Sequence, residues 1–163
     1  MKKIALVLII FVLVSGAVCA FDFLSYPPPV EGGNLMIDVG LGLPYPWFSY
    51  RWIRVPPIFL HVEYALPVNV PISVGGSFIF AMYKYYDRYA DFNIAARANW
   101  HWGFNVDKLD FYTGLNVGWH RHGYWPFSPG YQVGAHFYFS KNIGLNVEHS
   151  YPYWVKVGLA LKF

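Results

Sequence analysis

The sequence has few of the residues that carry covalent chemistry or charge. Of 163 residues one is cysteine, 12 are Lys or Arg and 9 are Asp or Glu. Charged residues make up 13% of the chain, compared with about a quarter in an ordinary globular domain. Because the two signs nearly balance, the composition argues against a nucleic-acid-binding protein.

The single cysteine, Cys19, belongs to an N-terminal segment that we predict to be removed. Lys2 and Lys3 precede an apolar run from residue 4 to residue 14, and small residues follow up to Ala20. This is the pattern of a secretory signal peptide, and its apolar run is too short to cross a bilayer as a helix. We predict cleavage after Ala20 and export of a chain without disulfide, thiol nucleophile or thiolate metal site. Lipid attachment at Cys19 stays open as an alternative, although lipoprotein signals usually have a smaller residue than Val18 before the cysteine.

The remaining chain has no long apolar run, yet aromatic residues make up 21% of the whole sequence. Its apolar residues alternate with polar or small ones, which is typical of strands with two different faces. Alternation in residues 90–102 places Trp100 and Trp102 on the apolar face, which is therefore predicted to be the outer one. The same pattern predicts strands over residues 34–43, 58–66, 72–83, 90–102, 110–120, 131–139, 143–149 and 154–163.

Eight such strands predict an all-β fold, a closed antiparallel eight-stranded transmembrane β-barrel. An open sheet in lipid would leave backbone groups at its edges without hydrogen bonds, so the sheet has to close. We predict a signal peptide over residues 1–20, an N-terminal periplasmic segment over 21–33 and the barrel domain over 34–163. Residues 67–71, 103–109 and 140–142 are expected to form short periplasmic turns. Longer external loops are expected over 44–57, 84–89, 121–130 and 150–152.

The C-terminal strand carries alternating apolar residues at Val157, Leu159, Leu161 and Phe163. This ending resembles the signal by which the barrel-assembly machinery recognises outer-membrane proteins. Nearly everything after Phe21 resembles small barrels of the OmpA, OmpX and OmpW class. The resemblance implies residence in the outer membrane of a diderm bacterium and contact with outer-membrane lipid and lipopolysaccharide. Belts of aromatic residues at the two lipid interfaces are expected from Trp100, Trp102, Phe137, Phe139 and Phe163 at one end and Tyr83, Trp119, Tyr131 and Trp154 at the other.

The inner face carries charged residues, which must pair or stay hydrated in such a place. Glu148 and Lys156 flank a short connection and are expected to be cross-strand neighbours. Arg97 is expected to pair with Asp38 or Glu63, and Gly114 is expected to lie opposite Arg97 and leave room for it. We predict that the network Asp38, Glu63, Arg97, Glu148 and Lys156 fills the lumen. A gate in which these residues exchange partners is the alternative.

The external loops are rich in aromatic residues, proline and cations. This composition suits contact with lipopolysaccharide, a host surface or another protein, and anchoring in the lipid headgroups is the alternative. The candidate contact residues are Trp47, Tyr50, Arg51, Trp52, Arg121, Tyr124 and Trp125.

We expect no enzyme activity, cofactor or metal. The inward histidines His61, His101, His120 and His136 are predicted at different depths and without a short ligand spacing. Glu148, His149 and Ser150 offer an acid, a base and a hydroxyl, but adjacent strand residues point to opposite faces. The predicted function is a barrel with a filled lumen that serves membrane integrity or surface interaction. A narrow OmpW-like conduit for small ions or apolar solutes, and a lipid-modifying enzyme, are the alternatives.

Overall fold

Eight antiparallel strands form a closed barrel in the computed structural model, which describes residues 28–44, 53–85, 87–103, 108–121, 127–151 and 153–163. Each strand pairs with the next, and β1 closes the barrel by pairing with β8. The predicted fold class is confirmed, whereas the proposed signal peptide, residues 1–20, lies outside the described residues. The strands are β1 Leu35–Pro44, β2 Ile53–Ala65, β3 Ile72–Tyr85, β4 Asp87–Gly103, β5 Leu109–His120, β6 Phe127–Tyr138, β7 Ile143–Ser150 and β8 Tyr153–Lys162.

The two faces of the strands differ as the alternation predicts. In β2, Phe59 and His61 are buried inside the barrel while Leu60 and Val62 are exposed on its outside. The same holds along β7: small or polar residues face the inside and apolar residues face the outside. Leu145, for example, is exposed and lies between two buried residues. A band of exposed apolar side chains this large is unfavourable in water and is typical of a surface that contacts lipid. No helix long and apolar enough to cross a membrane occurs in the described part of the chain.

Several strands extend further than the sequence predicts. β3 reaches Tyr85 and β4 begins at Asp87, so the loop expected over 84–89 is wrong. β2 begins before Pro56 and Pro57, and β6 begins before Pro129. Proline usually excludes a central strand because it lacks the N–H donor.

The prolines are tolerated because the strand ends are staggered at this end of the barrel. The pairing of β1 with β2 stops at Leu41 and Ile58, and the pairing of β6 with β7 starts only at Gln132. Each of these proline-containing stretches therefore pairs with a neighbouring strand on one side only. In addition, the register between β2 and β3 shifts between residues 53 and 58.

Residues 28–34, which we call the terminal segment, fold across the end of the barrel where β1 starts and β8 ends. We call this the terminal end and the opposite one the loop end. Gly33 adopts a positive φ of 96°, and its N–H donates to the carbonyl of Ala65 at 2.8 Å. Lys162 Nζ donates to the carbonyl of Pro29 at 2.6 Å. The segment thereby inserts Val30, which the structure buries, into the terminal mouth.

Two clusters of buried apolar side chains, which we call layers, lie inside the lumen at different depths. The lower layer, at the terminal end, consists of Val30, Met36, Ala65, Tyr138 and Ala160. The upper layer, nearer the loop end, consists of Phe59 and Ile79. Many buried polar side chains lie between the layers, whereas Asn93 lies opposite Ile79 and Asp91 lies nearer the loop end. Tyr83, expected in the outer aromatic belt, is inward and buried instead, because strand alternation decides its face.

Gly75 and Gly76 offer a matched test of the β2–β3 pairing. A Cβ on Gly75 would overlap the carbonyl oxygen of Val62 and lie 2.7 Å from the Cα of Glu63, whereas the nearest atom to a Cβ on Gly76 is the Ala95 oxygen at 3.5 Å. We expect Gly75→Ala to lower the free energy of unfolding by about 1 to 3 kcal/mol, with Gly76→Ala unchanged or slightly more stable. Denaturant unfolding in detergent micelles measures both, and equal stability of the two variants would contradict the close contact at Gly75.

Candidate functional site

Arg97 lies at the centre of the buried polar side chains and bridges two carboxylates. From β4 its Nε lies 2.6 Å from Glu63 Oε1, and its Nη2 donates to Glu148 Oε2 at 2.6 Å. The planar guanidinium presents fixed donors that match carboxylate oxygens. Arg97 is 5% exposed, so both ion pairs are buried inside the barrel.

Glu148 contacts side chains from a neighbouring strand and from strands across the lumen. Lys156, directly opposite on β8, places Nζ 2.6 Å from Glu148 Oε1. Tyr112, from β5, donates its hydroxyl to Glu148 Oε2 at 2.8 Å. The expected cross-strand contact with Lys156 is present, whereas the contacts with Arg97 and Tyr112 cross the lumen.

A chain of hydrogen bonds runs from Glu63 towards the terminal end. Ser73 donates its hydroxyl to Glu63 Oε2 at 2.5 Å, and His101 Nε2 lies 2.9 Å from Ser73 Oγ. The other ring nitrogen of His101, Nδ1, lies 2.9 Å from Asp110 Oδ2. Asp110 is fully buried, so the chain joins a second carboxylate to the first.

Asp38 does not pair with Arg97, so the prediction of an Asp38–Arg97 ion pair is wrong. Its Oδ2 lies 3.1 Å from His136 Nε2, while His136 Nδ1 lies 2.9 Å from Asp110 Oδ2. His136 thus bridges β1 and β5 across the lumen. The predicted separation in depth fails for His101 and His136, because both rings reach the same Asp110.

His61 completes the polar set on the side of the upper layer. Lys156 Nζ lies 3.3 Å from His61 Nε2, and His61 Nδ1 lies 3.8 Å from both Asp38 Oδ2 and Glu148 Oε2. The His61 ring stacks on Phe59 at a centroid distance of 4.6 Å. These contacts connect the charged residues to the apolar layer above them.

We call this set the ion network, and it has a member on every strand. Its members from β1 to β8 are Asp38, His61, Glu63, Ser73, Arg97, His101, Asp110, Tyr112, His136, Glu148 and Lys156. All five predicted lumen residues belong to it.

Neutral amides fill the space beside the ion network. Asn99 donates to Glu63 at 2.7 Å, and Gln132 donates to Asn99 at 2.8 Å. Gly114 makes room for this amide pair: it lies opposite Asn99, and a Cβ there would overlap Asn99 Oδ1 and come within 2.8 Å of Gln132 Nε2. The expectation that Gly114 faces Arg97 is wrong, because the residue opposite Arg97 on β5 is Asn116.

Asp110, His101 and Ser73 resemble the order of a hydrolytic triad, yet the hydroxyl is not poised for attack. An activated serine donates its proton to the histidine, whereas Ser73 donates to Glu63. Ser73 is also fully buried. Glu148 and His149 point to opposite faces, with the His149 ring 5.6 Å from that of Tyr131. No group of His, Cys, Asp and Glu that could hold a metal ion occurs among the described residues.

The other predicted contact residues lie on the outside or beyond the described residues. Val157, Leu159 and Phe163 are exposed on the outer face of the C-terminal strand region, and Leu161 is partly exposed there. Arg121 is exposed at the loop end, with its guanidinium carbon 5.5 Å from the ring centre of Phe92. Trp47, Tyr50, Arg51, Trp52, Tyr124, Trp125 and the side chain of Trp154 lie outside the described part of the chain.

The fold and its apolar exterior are those of the class of small eight-stranded transmembrane barrels. Ail, an outer-membrane protein of Yersinia pestis determined in a phospholipid nanodisc, superposes with a TM-score of 0.55 at 15% identity over 80% of this chain and 99% of Ail. Its crystal structure with the heparin analogue sucrose octasulfate gives 0.56 at 14% identity over 82% and 100%. A de novo designed transmembrane β-barrel gives 0.57 at 16% identity over 82% and 98%. No protein-family model and no curated protein sequence matches the chain.

Removing the charge of Glu148 tests the ion network directly. Glu148→Gln leaves Arg97 and Lys156 without their shared carboxylate, and breaking a buried ion pair costs about 3 to 5 kcal/mol. The exposed Glu31, whose backbone N–H rather than its carboxylate bonds to Asn34, provides the control Glu31→Gln. We expect the midpoint of unfolding in detergent to fall sharply for the first variant only. A similar midpoint for both would show that the network adds little to stability.

Proposed function

We propose that the protein is a closed structural barrel of a bacterial outer membrane whose lumen conducts no ions at neutral pH. The likeness to outer-membrane barrels supports the compartment, and the band of exposed apolar side chains supports contact with lipid. An even number of strands brings the start of the first strand and the end of the last strand to one side, and this supports a periplasmic terminal end and an external loop end. Val157, Leu159, Leu161 and Phe163 are the proposed contacts of the barrel-assembly machinery during insertion.

The position of the ion network between two apolar layers carries the proposal. An eight-stranded barrel has an interior that its own side chains can fill. An ion on its way through would have to displace Val30 and its neighbours, separate buried ion pairs and then pass Phe59 and Ile79. A barrel held from inside in this way serves the integrity of the membrane. We also propose that it catalyses no reaction, because the Ser73 hydroxyl beside His101 donates to the Glu63 carboxylate.

Reconstitution into planar bilayers tests the closed lumen. The wild-type barrel is expected to add no steady conductance at neutral pH, since buried ion pairs and apolar side chains lie inside its lumen. Arg97→Ala removes the central cation and tests the gate hypothesis. The gate hypothesis predicts that this variant has an altered conductance, so an unchanged conductance would contradict it. Steady channels formed by the wild type, with insertion verified by protease protection, would contradict the proposal and favour the conduit.

Surface interaction is the second candidate function, and the cations at the loop end favour it. Arg54 and Arg121 are both exposed there, and the neighbouring loops carry further cations and aromatic residues in the sequence. Ail, a barrel of the same fold, has been solved with a sulfated sugar. We propose that this end binds anionic sugars, such as the phosphorylated core of lipopolysaccharide.

Arg121→Ala tests this binding. We expect retention of nanodisc-embedded protein on heparin resin to shift to lower salt, because one exposed cation in contact with the anion is lost. Lys141→Ala removes an exposed cation at the terminal end. It should leave the elution unchanged, because the resin retains the discs through the loop end of the barrel. Equal shifts for the two variants would indicate unspecific attraction by net charge.

A further inference from the structure

A groove crosses the outer face of the barrel from β3 to β6. Its volume is about 640 Å³, within the range of about 300 to 1,000 Å³ in which small ligands bind. Arg97 and Asn116 border it, but their side chains bind partners inside the barrel. The side chains that line it from the outside are therefore apolar, namely Val74, Ala96, Ala98, Leu115, Val117 and Pro129.

Small residues in the middle of the lipid-facing band cause the groove. Ala98 lies directly between Val74 and Leu115 in the strand pairing, and both of these larger side chains are exposed. Gly76 lies beside Ala96, and the nearest atom to a Cβ on Gly76 would be 3.5 Å away. A hydrocarbon chain in the groove therefore contacts methyl groups below it and apolar side chains on both sides.

The outer face of β5 leads from the groove to an exposed cation at the loop end. Leu115, Val117 and Trp119 share this face because alternate residues of a strand point the same way, and Arg121 follows them. The ring of Trp119 lies 5.1 Å from that of Phe92, and the Arg121 guanidinium carbon lies 5.5 Å from the Phe92 ring centre. Within the described ranges the guanidinium thus lies over a ring and forms no ion pair with a carboxylate. Its planar donors match the oxygens of a phosphate.

The distance from this cation to the groove corresponds to the depth of one lipid leaflet. Between Leu115 and Arg121 the strand rises about 20 Å, at about 3.3 Å per residue. With strands tilted by about 40°, the difference in depth is about 15 Å, which is half of a hydrocarbon core of about 30 Å. A lipid whose phosphate lies at Arg121 can therefore extend an acyl chain into the groove.

We propose that the groove and Arg121 form one binding site for lipopolysaccharide, with a phosphate of its lipid anchor on Arg121 and an acyl chain in the groove. This rests on the external loop end proposed above, and it extends the proposed contact with anionic sugars to the lipid part of the same molecule. The groove is continuous with the exposed apolar band, and the charge of Arg121 complements a phosphate. A second copy of the chain, docked by a two-fold axis along the membrane normal, would instead bring two Arg121 cations to the same end of the interface.

Native mass spectrometry of the purified protein in detergent tests the proposal, with lipid A, dephosphorylated lipid A and phosphatidylglycerol as probes at equal concentration. We expect the wild type to retain lipid A in preference to the other two. Ala98→Phe fills the groove and should weaken this retention on the order of tenfold, because the acyl chain loses apolar contact area. Ala135→Phe places the same ring on the outer face of β6 away from the groove and should retain lipid A like the wild type. Arg121→Ala should lose the preference for lipid A over its dephosphorylated form.

Equal retention of lipid A by the wild type and Ala98→Phe would overturn the proposal, and so would equal retention of lipid A and phosphatidylglycerol by the wild type. Wild-type dimers that disappear in Ala98→Phe, with no lipid bound, would show that a second copy occupies the groove instead. The heparin measurement separates these failures from that of the sugar contact. Ala98→Phe should elute from heparin like the wild type, because the groove lies below the headgroups, whereas an unchanged elution of Arg121→Ala would contradict the sugar contact alone.

Discussion

The pairing of buried charge inside the barrel is the constraint on which the rest of the structure depends. Arg97 and the carboxylates that it joins lie where water is excluded, and an unpaired charge there would cost several kcal/mol. The small residues of the neighbouring strands follow from this constraint. Gly114 gives space to Asn99 and Gln132, and Gly134 lies against the ring of Tyr112. Substitution at these glycines would displace the groups that hold the charges.

The two apolar layers keep the ion pairs strong. Coulomb attraction between charges weakens many-fold when water reaches them, and the layers contribute to the burial of the charged side chains between them. The terminal segment is part of this seal, because Val30 packs in the lower layer. Gly32 allows the segment to approach, since a Cβ there would lie 2.8 Å from the Cα of Pro67. The terminal segment, residues 28–34, is therefore a structural part of the lumen.

Alternation along the strands predicted the inward and outward faces, because successive residues of a strand point to opposite faces. It also placed Glu148 beside Lys156, since both flank one short connection. Contacts across the lumen could not be predicted in this way. The pairing of His136 with Asp38 joins residues of β6 and β1, and their relative depth depends on the stagger of all strands between them. The same stagger explains why Pro56 and Pro129 lie within strands rather than in loops.

The distribution of the ion network over every strand has a consequence for how the barrel forms. A sheet that lacks β8 also lacks Lys156, and one that lacks β1 leaves His136 without Asp38. A set of strands that lacks β1 or β8 thus leaves a buried charge without one of its counterions. The buried ion pairs therefore favour the complete barrel over partly formed ones, and they favour insertion and closure in a single cooperative event.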